Sequence, residues 1–461
     1  MTTLSNSVKV LLFKDSSICS KGGEYKMKNY RYFIIVMIIV MTMINYIDRG
    51  GISYAQEDII KEFGFDNVAW GAILGYFGYG YMLGSLFGGV LSDKKGPKFV
   101  WIVAGTLWSL FEIAMAFAGE LGMAIFGGSA LAGFGMLRII FGFAEGPIFS
   151  TISKTNANWA APKERGLLSA LGLIGVPLGA LITAPIVSGL LTITNWRVLF
   201  ILMGVLGLIW VVIWAKVFTD YPEDNKKVSA REIEEIRSTE DTIKGEKTVE
   251  TEQNAHEKWY HFFKSPTLIF NTIGYFGFQY INFLILTWTP KYLQDEYHFE
   301  IHSLWYLGMI PWIGAVFTAY FGGKLSDWLR HKTGSLRIAR SGLAIFGMTL
   351  AAICFLIIPT TDNIALILIL MMLGNACVFL PNAVYWAVVI DTAPKNSGTF
   401  GGIMHFFVNS ATIIAPTLTG ILVSAYGYGS MFVSAVIAAV IGIVAISFVK
   451  PGLKKIKTQT N

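Results

Sequence analysis

The stretch Met43–Phe65 reads MINYIDRGGISYAQEDIIKEFGF, and it recurs 234 residues later at Gly277–Phe299 as GFQYINFLILTWTPKYLQDEYHF. The same shift carries Gly88–Asp93 (GGVLSD) onto Gly322–Asp327 (GGKLSD). Because both copies run in the same direction, the repeat divides the chain into two parallel halves. In a strongly apolar protein, this pattern indicates a membrane carrier whose site lies between its two halves.

The composition favours a membrane protein over a soluble one. Charged residues make up 14% of the chain and hydrophobic residues 54%, whereas soluble domains contain about 25% charged residues. Apolar stretches of about 20 residues can cross a bilayer as helices. We therefore predict an all-α membrane protein with twelve transmembrane helices in two pseudo-symmetric six-helix halves. The predicted spans cover residues 32–54, 70–92, 98–118, 128–154, 166–192, 197–218, 267–290, 303–325, 338–359, 363–390, 398–424 and 428–449.

The positions of lysine and arginine predict the orientation in the membrane. Cytoplasmic loops carry an excess of basic residues, and the basic residues here gather on the side of the termini. We therefore expect both termini in the cytoplasm, with the protein in a bacterial cytoplasmic (inner) membrane. The net charge of +6 follows from the same rule, and nucleic acid is not an expected partner. The basic residues of this side are Lys94, Lys95, Lys98, Arg330, Lys332, Arg337, Arg340, Lys454, Lys455 and Lys457.

The halves are joined by a polar segment that contains a predicted helix near Ser229–Arg237.

The N-terminal segment has an unusual sequence. Lys21–Met27 (KGGEYKM) reads like a translated ribosome-binding site followed by a start codon, so we expect translation to begin at Met27. The alternative is a short disordered tail. The predicted divisions are an N-terminal extension at 1–26, an N-terminal half at 27–218, a cytoplasmic connector at 219–264, a C-terminal half at 265–451 and a cytoplasmic tail at 452–461.

Ionisable residues interrupt the apolar spans of the first half, in the first and fourth spans above all. A charge at the centre of a span costs on the order of 3 kcal/mol, so each charge needs a reason. Asp48 and Arg49 are adjacent, and one alternative is that both lie at the outer water interface. Arg138 and Glu145 are seven residues apart and share one helix face. A buried carboxyl that approaches and leaves an arginine can bind and release a proton.

The second half lacks these charges at the repeated positions. Asp48 corresponds to Asn282, and Glu145 corresponds to Phe379. We therefore predict that the first half handles charge and protons, whereas the second half binds neutral polar parts of a substrate. His405 is either a satisfied core residue or part of the site. The neutral polar residues of the second half are Gln279, Asn282, Asn375, Asn382, Tyr385, Trp386, His405 and Asn409.

Gly80, Gly84 and Gly88 form a stripe with a spacing of four residues. Small residues at this spacing let helices approach closely. The stripe fits a sliding contact between the halves, and ordinary helix packing explains it equally well.

Several motifs resemble known transporter families. Gly89–Lys98 (GVLSDKKGPK) resembles the loop between the second and third helices of the major facilitator superfamily, with a weaker copy at Gly323–Lys332. The segments Asn45–Arg49, Leu137–Pro147 and Trp386–Pro394 resemble the anion:cation symporter family. Members of that family carry sugar acids such as hexuronates, galactonate and glucarate, or other organic anions, usually with protons.

The resemblance implies a role for each charged residue. Arg49 would hold the substrate carboxylate, because a guanidinium fork matches a carboxylate at two points. Asp48 and Glu145 would be the proton-binding carboxyls, and Arg138 would tune Glu145. The predicted substrate contacts are Arg49, Tyr46, Tyr81, Gln279, Asn282, Trp386, His405 and Asn409, and the predicted cytoplasmic gate contains Asp93 and Asp327.

One departure concerns the substrate. Where sugar-acid carriers often place a glutamine in the fifth helix, this chain reads Gly175-Val176-Pro177. The substrate could therefore be an organic acid with few hydroxyl groups as well as a polyhydroxylated sugar acid. The predicted gate residues have an alternative interpretation as surface charges that only set the orientation of the protein in the membrane.

The predicted function is proton-coupled uptake of an organic anion by alternating access. The expected partners are a small organic anion, protons and the lipid bilayer, and the chain is expected to act as a monomer without a metal or cofactor. An enzyme is not expected, because no nucleophile, metal or cofactor motif is present. One alternative is a proton-coupled antiporter that exports drugs, which Arg49 disfavours by repelling cations. Another is a sensor that binds ligand without transport.

Overall fold

A computed structural model describes residues 29–160, 165–237, 258–393 and 397–452, with only the backbone of 165–173. The predicted extension 1–26 lies outside these residues, as does nearly all of the tail 452–461. The described chain forms helices joined by turns and short loops. The long helices are α1 Tyr30–Tyr54, α2 Asn67–Lys95, α3 Pro97–Met115, α4 Ala130–Trp159, α5 Arg165–Ile193, α6 Trp196–Val217, α7 Pro266–Tyr297, α8 Ile310–Thr333, α9 Ile338–Thr360, α10 Ile364–Thr392, α11 Ser397–Tyr426 and α12 Gly429–Ser447.

Within the described residues, eleven of these helices are long and apolar enough to cross a membrane. The twelfth is α2, which has 29 residues and a glycine-rich sequence of lower hydropathy. The fold class is therefore the predicted one. Because α1 to α12 cross alternately, α1 begins and α12 ends at one membrane face, here called the terminal face. The other is called the far face.

Three of the long helices are interrupted close to predicted site residues, and in α10 the interruption falls at Leu380 and Pro381, shortly before Trp386. The first part of α4 ends at Glu145, and Gly146 and Pro147 separate it from the second part. Proline has no backbone N–H to donate to the helix ladder. In α11 the interruption falls at Asn409 and Ser410. Each break interrupts the regular helix close to a predicted site residue.

The glycine stripe packs α2 against α4 of its own half. A Cβ atom at Gly80, Gly84 or Gly88 would overlap the backbone of Ile139, Phe143 or Pro147, respectively. Of the two explanations from sequence, ordinary helix packing is therefore the one that holds. A different row on α2 contacts the second half: Gly71 and Gly75 lie against α11 near Pro416, Thr417 and Gly420.

The two halves meet closely at the far face. Gln56 in the short helix Gln56–Phe63 donates to Gln294 of α7 at 2.8 Å, and Gln294 in turn donates to Glu57 at 2.9 Å. Thr417 Oγ1 donates to the carbonyl of Gly71 across the same boundary at 3.4 Å. These contacts close the far face, so the structure is shut on that side of the membrane.

The connector carries the predicted helix, observed at Ala230–Arg237. Its Glu232 carboxylate accepts the backbone N–H groups of Tyr30 and Arg31, each at 2.9 Å. These N–H groups have no partner within α1, so the carboxylate satisfies the helix terminus. Burial raises the pKa of Glu232 above its usual value. The connector is thereby fastened to the first half at the terminal face.

Close packing of α2 on α4 predicts a position-dependent effect of one added methyl group. Gly84→Ala should destabilise the protein by about 1–3 kcal/mol, because the α4 backbone cannot move away without strain. The midpoint of thermal unfolding in detergent measures this effect. Gly89→Ala is the matched control, since a Cβ there would lie 3.8 Å from Ser150 Cβ in ordinary contact. Equal midpoints for the two variants would contradict the packing described above.

Candidate substrate site

An ion pair between α1 and α4 forms the centre of the site. Arg49 Nε donates to Glu145 Oε2 at 2.9 Å, and Asn45 Nδ2 donates to Glu145 Oε1. Arg49 is 2% exposed and Glu145 is fully buried. Both Asn45 and Arg49 point the same way because they are one helical turn apart. The carboxylate is therefore held at two points by one face of α1.

The depth of this pair excludes one alternative drawn from the sequence. Asp48 and Arg49 do not lie at a water interface, because α1 continues to Tyr54 and both side chains are buried. Asp48 Oδ2 accepts from Trp108 Nε1 of α3 at 2.9 Å. Among the described residues, Asp48 Oδ1 has no hydrogen-bond partner. Asp48 therefore keeps a free oxygen beside α3.

Aromatic rings surround the Arg49 guanidinium. Its Cζ lies 5.1 Å from the ring centroids of Tyr46 and Phe77, and 4.4 Å from that of Tyr81. Such rings stabilise a cation through their negative faces without neutralising it. Within the described residues, Nη2 of Arg49 has no hydrogen-bond partner. The guanidinium thus has one edge occupied by Glu145 and a buried donor, Nη2, that is left without a partner among the described residues.

Arg138 does not share in the ion pair with Glu145. It precedes Glu145 by two turns of α4, which corresponds to about 10 Å along the helix toward the far face. Its Cζ lies 5.0 Å from the Phe77 centroid and 5.8 Å from that of Phe141. The direct partner of Glu145 is Arg49, and a tuning effect of Arg138 on Glu145 stays a prediction.

The second half contributes neutral polar groups opposite Arg49. His405 stacks at 5.7 Å from Trp386 and at 6.0 Å from Phe149 of the first half. Asn409 Nδ2 lies 3.2 Å from His405 Nδ1. Trp386 Nε1 donates to the hydroxyl of Tyr275 at 3.2 Å. Three predicted residues of this half therefore form one cluster that touches α4.

Two predicted contacts lie on α7. Asn282 is 1% exposed, interacts with the Tyr46 hydroxyl, and leaves Oδ1 without a hydrogen-bond partner among the described residues. Gln279 is also buried, and its part in the site stays a prediction. Across the boundary between the halves, Arg49 and His405 are close enough to interact electrostatically. The predicted substrate contacts with described partners therefore converge from both halves.

The predicted gate residues pair within their own halves in this structure. Asp93 accepts from Lys154 at 2.8 Å, and Asp327 lies 3.2 Å from Arg340. Arg340 also donates through Nε to Asp391 at 2.9 Å. A latch between the halves at the terminal face, as the sequence predicts, stays a prediction for the state in which that face is closed.

Sequence reasoning missed three residues of the site. Glu112 lies within the predicted span 98–118, and its charge at membrane depth was a sufficient signal to find it. Trp108 and Tyr275 carry no such signal, because aromatic residues are common in membrane helices. Among the described residues, no group of three histidine, cysteine, aspartate or glutamate side chains is arranged to hold a metal ion.

Comparison with known proteins identifies similar sequences along almost the whole chain. The profile of the Major Facilitator Superfamily matches residues 38–415. A hexuronate transporter of Bacillus subtilis is 32% identical over 436 residues, covering 92% of this chain and 95% of that protein. A probable sulfoacetate transporter of Cupriavidus necator is 29% identical over 424 residues, covering 91% and 94%. A probable galactarate/D-glucarate transporter and a D-galactonate transporter, both of Escherichia coli, are also similar.

Solved structures agree with the fold. A bacterial homolog of the human lysosomal transporter Spinster, in an inward-facing and unoccupied conformation, aligns with a TM-score of 0.71. It is 14% identical, and the alignment covers 91% of this chain and 98% of that one. At this level of identity the likeness concerns the fold alone.

The ion pair predicts strong coupling between its partners. In a double-mutant cycle of Arg49→Gln and Glu145→Gln, the coupling free energy should reach about 1–3 kcal/mol, because either single change leaves one buried polar partner unmatched. Thermal unfolding in detergent at neutral pH measures it. The control cycle is Asp93→Asn with Lys154→Gln, an exposed pair expected to couple by less than about 1 kcal/mol. Coupling in the buried pair no larger than in this control would contradict the geometry.

Proposed function

Because the chain belongs to the Major Facilitator Superfamily of membrane transporters, we propose that it takes up an organic anion together with protons by alternating access. The family and the relatives are transporters, so this chain is a multi-pass membrane transporter and not an enzyme. The proposed location is a bacterial cytoplasmic membrane with both termini inside, and a monomer is the proposed working unit.

The observation that carries the proposal is the buried guanidinium of Arg49 with Nη2 free of a hydrogen-bond partner among the described residues. A carboxylate can accept two parallel hydrogen bonds from a guanidinium. In the present structure Glu145 takes one edge of the fork through Nε. An incoming carboxylate would take over that edge once Glu145 becomes neutral.

Neutral groups of the second half would bind the rest of the anion. Trp386, His405, Asn409 and Asn282 offer an aromatic surface, imidazole and amides, and none adds a permanent charge. Amides can hydrogen-bond to hydroxyl groups as donors or acceptors. Hexuronate and galactarate, after which two of the related transporters are named, carry several hydroxyl groups, which supports a sugar acid as one substrate class.

The sequence of the fifth helix is also compatible with a smaller anion that has fewer hydroxyl groups. A Cβ at Gly175 would come within 2.7 Å of Thr42 Cβ on α1, so the position has no room for a longer side chain. The hydroxyl-binding amide expected of sugar-acid carriers is therefore lacking there. The relative named for sulfoacetate, which has no hydroxyl group, supports the same alternative within the class of organic anions.

The coupling follows from the competition between Glu145 and the anion for Arg49. A proton on Glu145 removes the negative charge that holds the guanidinium, and the substrate carboxylate replaces it. The loaded site then has no excess buried charge, which lowers the barrier to movement of one half against the other. Deprotonation of Glu145 inside restores the ion pair and expels the anion. Asp48 would bind a proton in the same cycle.

Arg49 is the first residue to test. Arg49→Ala should weaken anion binding by about 1.5–3 kcal/mol, or roughly 10- to 100-fold, because charge-assisted hydrogen bonds are lost. The anion affinity of Arg49→Lys should lie between that of the unchanged protein and that of Arg49→Ala, since lysine keeps the charge but not the forked geometry of the guanidinium. Currents on a solid-supported membrane, recorded with hexuronates, aldonates, aldarates and simple carboxylates, measure this. Arg231→Ala, an exposed arginine of the connector, serves as control. Currents for lipophilic cations and none for anions would overturn the proposal.

Glu145 tests the proton coupling separately. Glu145→Gln should abolish accumulation driven by a pH gradient but retain exchange of radiolabelled anion across proteoliposome membranes. Glutamine resembles the protonated carboxyl, so Arg49 stays available to the substrate while the proton site is gone. Glu300→Gln, an exposed residue of the far face, should leave both activities unchanged. Accumulation retained by Glu145→Gln would contradict the role of this carboxyl.

A further inference from the structure

Glu112 of α3 is a buried carboxyl that the mechanism above does not use. It is 1% exposed, one helical turn from Trp108 toward the far face. Neither of its carboxylate oxygens has a hydrogen-bond partner among the described residues. A buried carboxylate without donors is costly, since its charge loses hydration without gaining a partner. The protonated form avoids most of that cost.

The charges around Glu112 come from two other helices. Asp48 of α1 and Arg138 and Glu145 of α4 interact with it electrostatically. Among the described residues, Arg138 makes no hydrogen bond to either carboxylate oxygen of Glu112. Arg138 therefore acts on Glu112 only through its charge.

The other neighbours of α3 add no charge at this level. On α6, Gly204 and Gly207 pack against Ser109 of α3. Trp108 connects Asp48 and Glu112. It lies one helical turn before Glu112 on α3, and its Nε1 donates a hydrogen bond to Asp48. The other carboxylate oxygen of Asp48, Oδ1, accepts no hydrogen bond from the described residues.

The balance of buried charge changes when Glu112 is included. At the level of the site, α1, α3 and α4 then bury three acids (Asp48, Glu112 and Glu145) and two bases (Arg49 and Arg138). Arg31 of α1 is buried at the terminal face instead, beside Glu232 of the connector. With every group ionised, this network has one excess negative charge, and a bound carboxylate adds another. Uncompensated charge at membrane depth is strongly unfavourable. Neutralising the loaded site therefore takes two protons, one more than the same site would take without Glu112.

We propose that Glu112 is a third proton-binding carboxyl of the transport cycle, holding a proton beside Asp48 and Arg138 when the anion is bound. This inference rests on the proposed function of proton-coupled anion uptake. Three acids then share the two protons that the loaded site takes up. Glu112 holds one of them because its oxygens have no hydrogen-bond donor among the described residues, whereas Asp48 accepts a hydrogen bond from Trp108. Release of that proton after the anion has left returns the network to its unloaded charge. A fixed structural charge would take no part in this exchange.

The number of protons moved per anion distinguishes the two roles. Reversal potentials of reconstituted protein, measured with an anion that the unchanged protein transports, give this ratio directly. Glu112→Gln should lower the ratio by one proton per anion while anion affinity stays within about twofold, because Arg49 is untouched. Glu300→Gln should keep the ratio of the unchanged protein. A ratio that Glu112→Gln leaves unaltered would overturn the inference.

A second variant, Glu112→Met, covers the case in which Glu112→Gln does not fold. An apolar side chain of similar length needs no hydrogen-bond partner when buried, and the same reversal-potential measurement applies. A ratio lower by one again supports the inference, and an unchanged ratio refutes it. Failure of the proposed function gives a different result, because the unchanged protein would then show no anion-dependent current at all.

Discussion

A single buried ion pair, Arg49 with Glu145, is the constraint on which the site depends. Both groups lie at membrane depth, where an isolated charge is unfavourable and a pair is tolerated only with good geometry. The 2.9 Å contact and the Asn45 amide supply that geometry. In the proposed cycle, an anion that binds Arg49 displaces Glu145, and a proton that neutralises Glu145 frees Arg49. Binding of substrate and binding of protons would thereby be linked through one guanidinium.

The surrounding helices bury this ion pair, and two helix breaks lie close to it and to the neutral cluster of the second half. Glycines of α2 bring its backbone against α4, which carries Glu145, while other glycines of α2 meet α11 of the second half. The breaks at Gly146–Pro147 and at Asn409–Ser410 lie next to the pair and to the neutral cluster, respectively. The far face is closed by contacts between halves, such as Gln56 with Gln294. At the terminal face, Asp93 and Asp327 pair only within their own halves among the described contacts, so alternation would exchange these two arrangements.

Much of this architecture could be predicted from the sequence, because membrane helices need about 20 apolar residues and the repeat Met43–Phe65 to Gly277–Phe299 gives the two halves. Asp48, Arg49 and Glu145 could be recognised because charge is rare at membrane depth. Their pairing could not, since Arg49 and Glu145 are 96 residues apart and meet only through tertiary packing. The Trp108 contact to Asp48 has no sequence signature. Glu112 carried the same signal as Glu145 and was passed over, which shows that each charge in a span needs its own account.

The most direct test of the account is the pH dependence of anion affinity in purified protein, measured by calorimetry with an anion that the protein transports in the solid-supported membrane assay. Because protonation of Glu145 releases Arg49, affinity should rise as pH falls, and Glu145→Gln should bind tightly with a much flatter pH profile. An affinity that does not change with pH in the unchanged protein would contradict the competition for Arg49. So would a Glu145→Gln variant whose affinity varies with pH as strongly as that of the unchanged protein.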